Sequence, residues 1–343
     1  MLLALVLAAC SGSTSDASRT TTAARAPRAT TTTTLPAPAD PAAPATIIDP
    51  SIDSPNPFVL VEGGQYLHYA SQVAVGRENI QVRVGRALSA LGPVRDAMPE
   101  PPRWVVPGST WAPDVRHVGT RYVMWFTAAT EPGRVDGGAR TQCIGWAVSR
   151  SPLGPFTGGA TTPSICQRDR WGSIDPRTFR DDDGKLWLQW KSDDNAQVGA
   201  DSHSSIYSQR LAADGATLTG HPVRILEADQ PWEGRIVEAP QMVEVGGRHW
   251  LFYSGNWFNQ PAYAIGVAEC DGPTGPCRKP SDHPWLASNA QGEGPGEGSL
   301  FHDAGGWWTV YGPDRVGFNV QTVRPTALAR VAFGPGGPYL ARA

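Results

Sequence analysis

One unit recurs five times along most of the chain, and no other feature restricts its fold as strongly. In each copy a polar residue beside Pro or Gly leads into a strand, a Gly turn follows, and an aromatic-rich strand returns. The first copy reads Asn56-Pro57-Phe58-Val59-Leu60, then Gly63-Gly64, then Tyr66-Leu67-His68-Tyr69. The second runs from Trp111-Ala112-Pro113-Asp114 through Gly119 to Tyr122-Val123-Met124-Trp125-Phe126. The third runs from Ile174-Asp175-Pro176 through Asp183-Gly184 to Leu186-Trp187-Leu188-Gln189-Trp190. The fourth runs from Val237-Glu238-Ala239-Pro240 through Gly246-Gly247 to Trp250-Leu251-Phe252-Tyr253, and the fifth from Gly294-Pro295-Gly296-Glu297 through Gly305-Gly306 to Trp307-Trp308-Thr309-Val310-Tyr311. Positions 56, 114, 175, 238 and 297 mark the copies, at spacings of 58, 61, 63 and 59 residues.

Each copy holds a Gly-turned hairpin and further strand-like runs, such as residues 144–148 and 264–268. About four strands in ~60 residues make one propeller blade. The expected fold is therefore all-β, a five-bladed β-propeller of about four antiparallel strands per blade over residues 47–343. A length of 343 residues would otherwise suggest two domains, but propellers run longer as single units. Thirteen Trp, 38 Gly and only three lysines (Lys185, Lys191 and Lys279) agree with a turn-rich sheet protein. The first strand of a blade lines the central channel, so Asn56, Asp114, Asp175, Glu238 and Glu297 are expected to ring one end of a funnel. A net charge of -3 with 18% charged residues gives no field suited to nucleic acid.

The first 46 residues read differently. Residues 1–9 form a short apolar run, below the ~20 residues that a membrane-spanning helix needs, and match the core of an export signal. No basic residue precedes the run, which points to a translation start upstream of Met1. Leu7-Ala8-Ala9-Cys10 resembles a bacterial lipobox, in which the Cys10 thiol takes a lipid; an ordinary signal that contains a cysteine is the alternative. Residues 11–46 are rich in Thr, Ala and Pro and lack aromatic residues, the composition of a disordered tether. The expected protein is exported and extracellular or anchored to the cell membrane, touching it only through an N-terminal lipid. Four cysteines remain in the folded part and allow three pairings. Cys270 and Cys277 bracket a Gly/Pro turn and suit a local disulfide, leaving Cys143 to pair with Cys166. Spacings suited to a zinc site are absent from the sequence.

A ring of carboxylates suits glycoside hydrolysis, in which one carboxyl protonates the leaving oxygen while another activates water or attacks the sugar. Trp111-Ala112-Pro113-Asp114, Ser173-Ile174-Asp175-Pro176 and Val237-Glu238-Ala239-Pro240 resemble the blade starts of glycoside hydrolase family 43. So do the Asp181-Asp182-Asp183-Gly184 turn, Ser149-Arg150-Ser151-Pro152-Leu153-Gly154-Pro155-Phe156 and Tyr253-Ser254-Gly255-Asn256. The resemblance covers residues 47–343 and implies an inverting enzyme acting on arabinose- and xylose-containing plant polysaccharides. It implies Glu238 as general acid and Asp175 as the residue that raises and orients that acid. The family's general base corresponds to Asn56, an amide that cannot take a proton from water. Asp53 is the substitute expected from blade one, and Asp114 is another inward candidate.

Glu297 stands where the family often has a His linked to a central calcium or water site, and neither a metal nor another cofactor is assigned. Asn56, Asp114, Trp111, Arg235, Trp257 and Glu297 are the expected carbohydrate contacts, and Trp232 is a further loop tryptophan. Trp187 and Trp308, within strands, are expected to pack between blades, and the 181–184 run to be a hairpin turn. A propeller closes on itself, so a monomer is expected. Because of Asn56, a degenerate propeller that binds carbohydrate without cleaving it is the rival reading, and a protein-interaction propeller is a third.

Overall fold

Near-continuous apolar runs on the aromatic-rich strands, such as Tyr122 to Phe126 and Trp250 to Tyr253, give sheets with two apolar faces, and such sheets must be covered on both sides. In the computed structural model, residues 45–73, 78–130, 141–159, 161–196, 202–290, 292–314 and 323–342 are described. Cys10 and the expected signal and tether lie outside the described residues, apart from residues 45 and 46. After the short strand β1 (Thr46–Ile47), blade one holds β2 (Phe58–Glu62), β3 (Gln65–Ser71), β4 (Ile80–Gly85) and β5 (Arg95–Asp96). Blade two holds β6 (Val105–Val118), β7 (Arg121–Thr130) and β8 (Gln142–Ser149), with Thr157 and Ile165 bridging onto β8. Blade three is β9 (Ser173–Arg180), β10 (Leu186–Ser192), β11 (Ser205–Leu211) and β12 (Leu218–Glu227). Blade four is β13 (Val237–Val245), β14 (Arg248–Gly255), β15 (Ala264–Cys270) and β16 (Cys277–Arg278). Blade five is β17 (Glu293–Asp303), β18 (Gly306–Asp314), β19 (Ala327–Gly334) and β20 (Gly337–Ala341), with β1 paired to β19.

The result is an all-β propeller of five antiparallel blades. Gly63-Gly64 and Gly246-Gly247 close their hairpins with positive φ at both positions, which suits the tight turns that match strand twist. Five apolar clusters fill the five gaps between blades. Tyr69 and Phe126 meet between blades one and two, Trp125 and Trp190 between two and three, and Phe179 and Leu251 between three and four. Phe252 and Val331 meet between four and five, and Val59 and Phe301 between five and one. Trp187 and Trp308 pack against these clusters, and Asp181 to Gly184 is a turn closed by the Gly184 N–H donating to the Asp181 carbonyl at 2.8 Å.

The ring is closed by the chain entering blade one. Ile48 N–H donates to the Thr326 carbonyl and Ser54 N–H to that of Arg324, both at 2.9 Å. Ala45 and Ile47 pack on the cluster between blades four and five. Cys143 is bonded to Cys166 and Cys270 to Cys277, the pairing that the spacing favoured. Two disulfides suit an oxidising, exported setting. Among the described residues, no helix is long and apolar enough to cross a membrane.

Candidate active site

The innermost strand of blades two to five carries a bulge, where its register against the second strand shifts. At each bulge, and at the matching position of blade one, a residue other than glycine takes a left-handed backbone. These are Asn56 (φ 52°), Ala112 (47°), Asp175 (56°), Ala239 (48°) and Glu297 (53°). Such conformations cost about 1–3 kcal/mol each and persist only where the surroundings impose them. A bulge re-aims side chains, and here it lets two neighbouring positions serve the channel. Asp175 and Glu297 occupy the turn position itself, whereas Glu238 comes one residue before its turn, Ala239.

A hydroxyl on the second strand of the preceding blade holds the turns of blades two, three and five. The Ala112 N–H donates to Ser71 Oγ, that of Asp175 to Thr127 Oγ1 and that of Glu297 to Ser254 Oγ, each at 2.9 Å. The cross-strand partners Trp111–Thr127, Ile174–Lys191 and Glu238–Ser254 put Lys191 at this hydroxyl position in blade three. An ammonium cannot accept the Ala239 N–H, and Asp175 Oδ2 accepts it instead, at 3.1 Å. This substitution ties the Asp175 carboxylate to the backbone beside Glu238. Lys191 itself is 1% exposed and reaches inward, its Nζ 2.9 Å from Glu238 Oε2 and 3.4 Å from Asp193 Oδ1.

Asp175, Glu238 and Glu297 place one oxygen each within 4.8 Å of one another. Their spacing alone would admit a cation, but the Lys191 ammonium already fixed on Glu238 repels a second positive charge. Tyr263, buried just before β15, donates from its hydroxyl to Glu238 Oε1 at 2.6 Å and lies 3.0 Å from Glu297 Oε1. Burial, and then the charge of Glu238, pushes Asp175 up to about 7. Burial, with Asp175 and Glu238 behind it, pushes Glu297 well above the usual carboxylate range, although the Asn56 side chain pulls the other way. Burial works against the charge of Lys191, but Glu238, Asp193 and Asp175 outweigh it and raise its pKa.

These groups line a cavity of about 400 Å³, within the range that small-ligand sites occupy. Its wall includes Asn56, Trp111, Asp193 and Arg324, and Trp257 and Phe258 stand at it with 41% and 52% exposure. Exposed aromatic faces beside acid groups are what a sugar ring stacks on. A model of the family described as "Glycosyl hydrolases family 43" matches residues 50–338. The chain belongs to glycosyl hydrolase family 43.

Named relatives agree with that membership. A protein of Aspergillus niger named β-D-galactofuranosidase xynD is 27% identical over 251 residues, which is 69% of this chain and 66% of that protein. The extracellular exo-α-(1→5)-L-arabinofuranosidase ArbA of Cellvibrio japonicus is 33% identical over 92 residues, 25% of this chain and 24% of its own. The chain thus spans less than two thirds of either of these curated relatives. The crystal structure of a thermostable family-43 glycoside hydrolase superposes with a TM-score of 0.71 at 24% identity, covering 87% of this chain and 97% of the other.

Of the residues expected at the funnel, Asn56, Asp175, Glu238, Glu297, Trp111 and Trp257 all line the cavity. Asp114 does not. The turn of blade two is at Ala112, so Asp114 falls two residues deeper, where it is buried, accepts a hydrogen bond from Thr178 and sits beside Arg116 and Arg177. The sequence marker at 114 was out of phase because Trp-Ala-Pro-Asp places its carboxylate after the proline, not before it. Asp53 lies behind the wall, its Oδ1 3.3 Å from Nε of the cavity-lining Arg324. Arg235 is an exposed turn residue (φ 74°) outside the lining, although its neighbour Ile236 belongs to it. Trp232 packs on Tyr253, with ring centroids 5.9 Å apart, and so serves the core. Sequence reasoning missed Lys191, Asp193, Tyr263 and Arg324. Lys191 was legible in principle, as the charged residue at the position where Ser71, Thr127 and Ser254 stand. Tyr263 lies outside the repeated hairpin and left no signal.

Proposed function

We propose that this family-43 protein hydrolyses arabinosyl or xylosyl linkages of plant-type polysaccharides or oligosaccharides, by single displacement with inversion. Glu238 donates the proton to the leaving oxygen, and Asp175, held on the backbone N–H next to Glu238, orients and tunes it. The observation that carries this reading is the retained Asp175–Glu238 pair beside a cavity with exposed Trp257 and Phe258. A module that only binds sugar has no use for a carboxyl whose pKa is pushed up to about 7. The trio is too tight to contain the water of an inverting reaction, which needs carboxyls about 6.5–9.5 Å apart. Asp175, Glu238 and Glu297 therefore belong to the proton-donating side. The base is sought on the blade-one side, where Asp53 is the substitute for the carboxylate missing at Asn56; because it stands outside the cavity lining on Arg324, it must leave that ion pair to reach the water.

Both named relatives are named for removing furanose sugars, so the substrates to try first are aryl α-L-arabinofuranosides and β-D-galactofuranosides, with β-D-xylosides beside them. Asn56 favours one alternative, a propeller that binds carbohydrate without cleaving it. General acid or base catalysis contributes about 10²–10⁴-fold, so Glu238→Gln is expected to lower kcat by at least about 100-fold. Wild-type turnover lost in Glu238→Gln supports the enzyme. An inert wild type that gains turnover as Asn56→Asp supports the binding module, and binding to arabinan and xylan then measures its function. We further propose that Cys10 carries a lipid and that residues 11–46 tether the propeller to the cell surface as a monomer. Release of the protein from membranes by Cys10→Ser tests the anchor.

A further inference from the structure

Tyr263 has one hydroxyl proton and two glutamates to satisfy. Its oxygen lies 2.6 Å from Glu238 Oε1 and 3.0 Å from Glu297 Oε1. A phenol donates one hydrogen bond and accepts others, so one of the two contacts requires a proton on a carboxyl. Lys191 decides which. Its ammonium donates to Glu238 Oε2 at 2.9 Å, so donors occupy both oxygens of Glu238 and make it the acceptor. The remaining proton belongs to Glu297, whose Oε2 is buried without a hydrogen bond of good geometry, a poor setting for a charge. Asp175, Asp193 and Arg177 are the other charged groups about the cluster. Gly296 completes the arrangement, because a Cβ there would stand 1.8 Å from the Tyr263 ring.

We propose that Glu297 stores a proton and that the Tyr263 hydroxyl passes one to Glu238 Oε1 while accepting the one from Glu297. This rests on the reading of Glu238 as proton donor to the leaving oxygen. The step conserves protons: the Glu297 O–H bond breaks as a new Tyr263 O–H bond forms, and the old Tyr263 O–H bond breaks as Glu238 O–H forms. Glu238 then protonates the leaving oxygen as the glycosidic bond breaks. The proton released by the attacking water returns to Glu297 through solvent. Tyr263 and Glu297 are thus proton-supply residues that act through Glu238 and need not touch the sugar.

The leaving group separates this role from a structural one. A dinitrophenolate departs without protonation, whereas a sugar alcohol requires it. We would compare wild type, Tyr263→Phe, Glu297→Gln and Glu238→Gln on a disaccharide and on the 2,4-dinitrophenyl glycoside of the same sugar. A proton-supply role predicts a loss of about 100-fold on the disaccharide for Tyr263→Phe and Glu297→Gln, and under about 3-fold on the dinitrophenyl glycoside. Equal losses on both substrates, or no loss on either, overturn it. If Glu238→Gln shows the leaving-group pattern while the other two variants do not, the relay fails and the acid assignment survives. If wild type cleaves neither substrate, the hydrolase reading fails. Carboxyl-13C NMR of the glutamate-labelled protein then tests the stored proton by itself. One neutral glutamic acid at pH 7, absent from Glu297→Gln, is expected, and finding every glutamate ionised overturns it.

Discussion

At position 191 the second strand of blade three carries an ammonium where blades one, two and four carry Ser71, Thr127 and Ser254. That exchange frees the Ala239 N–H for Asp175 and puts a positive charge against Glu238. Burying these carboxyls makes stability depend on pH. Asp175 has an ordinary value of 3.8 and rises to about 7 in the fold. Between those values the folded protein keeps a proton that the unfolded chain has released. Its stabilising contribution is complete below pH 3.8 and is lost as pH rises through 7. Asparagine can still accept the Ala239 N–H through its carbonyl and never ionises. Asp175→Asn should therefore melt above wild type at pH 8, by about 2–4 °C for each kcal/mol released, and match it near pH 4. Calorimetry at the two pH values checks this, and an equal Tm at pH 8 would contradict it.

At the scale of elements, each blade is a similar sheet, and function enters through the bulge on its first strand. The left-handed turn residue in four blades precedes Pro, and the turns, spaced by 56, 63, 64 and 58 residues, mark the same position of every blade although the acidic residue does not always occupy it. The disulfides act at this scale too. Cys270–Cys277 joins the paired strands β15 and β16 across a separation of 7 residues, whereas Cys143–Cys166 ties β8 to the following loop across 23. Loop-closure entropy predicts that replacing Cys143 and Cys166 by alanine costs about 3.4 kcal/mol, and replacing Cys270 and Cys277 about 2.4 kcal/mol. Urea unfolding of the two double variants measures the order, and a larger loss from the short loop would show that native packing outweighs chain entropy.

For the whole molecule, stability depends on joining blade five to blade one. His68 of β3 is buried at that joint, its Nε2 2.9 Å from Thr326 Oγ1. Burial, and then Arg83, lowers it from 6.5 to about 4. The unfolded chain therefore takes up a proton that the closed ring refuses. This contribution is intact above pH 6.5 and is lost as pH falls toward 4, by about 3 kcal/mol at most. Asp175 shifts stability in the opposite direction over much of the same window, so a wild-type curve hides both. His68→Gln, which can still hydrogen-bond Thr326, should gain Tm relative to wild type as pH falls from 6.5 to 4. An unchanged pH slope would place the acid sensitivity elsewhere.

The five-fold period, the all-β class, the local disulfide and the convergence of Asp175, Glu238 and Glu297 were legible in the chain. Strand alternation, turn chemistry and repeat spacing are local properties, and a closed ring turns a shared period into a shared place. What tertiary structure decided was phase and partnership. Asp114 and Ala112 differ by two residues, and only the bulge assigns one to the core and the other to the turn. Lys191, Tyr263 and Arg324 reach the cavity from a second strand and two connections, at distances set by neighbouring blades rather than by spacing along the chain. The protonation of the site follows from those contacts, because a carboxyl in a buried cluster is governed by the donors and charges packed around it.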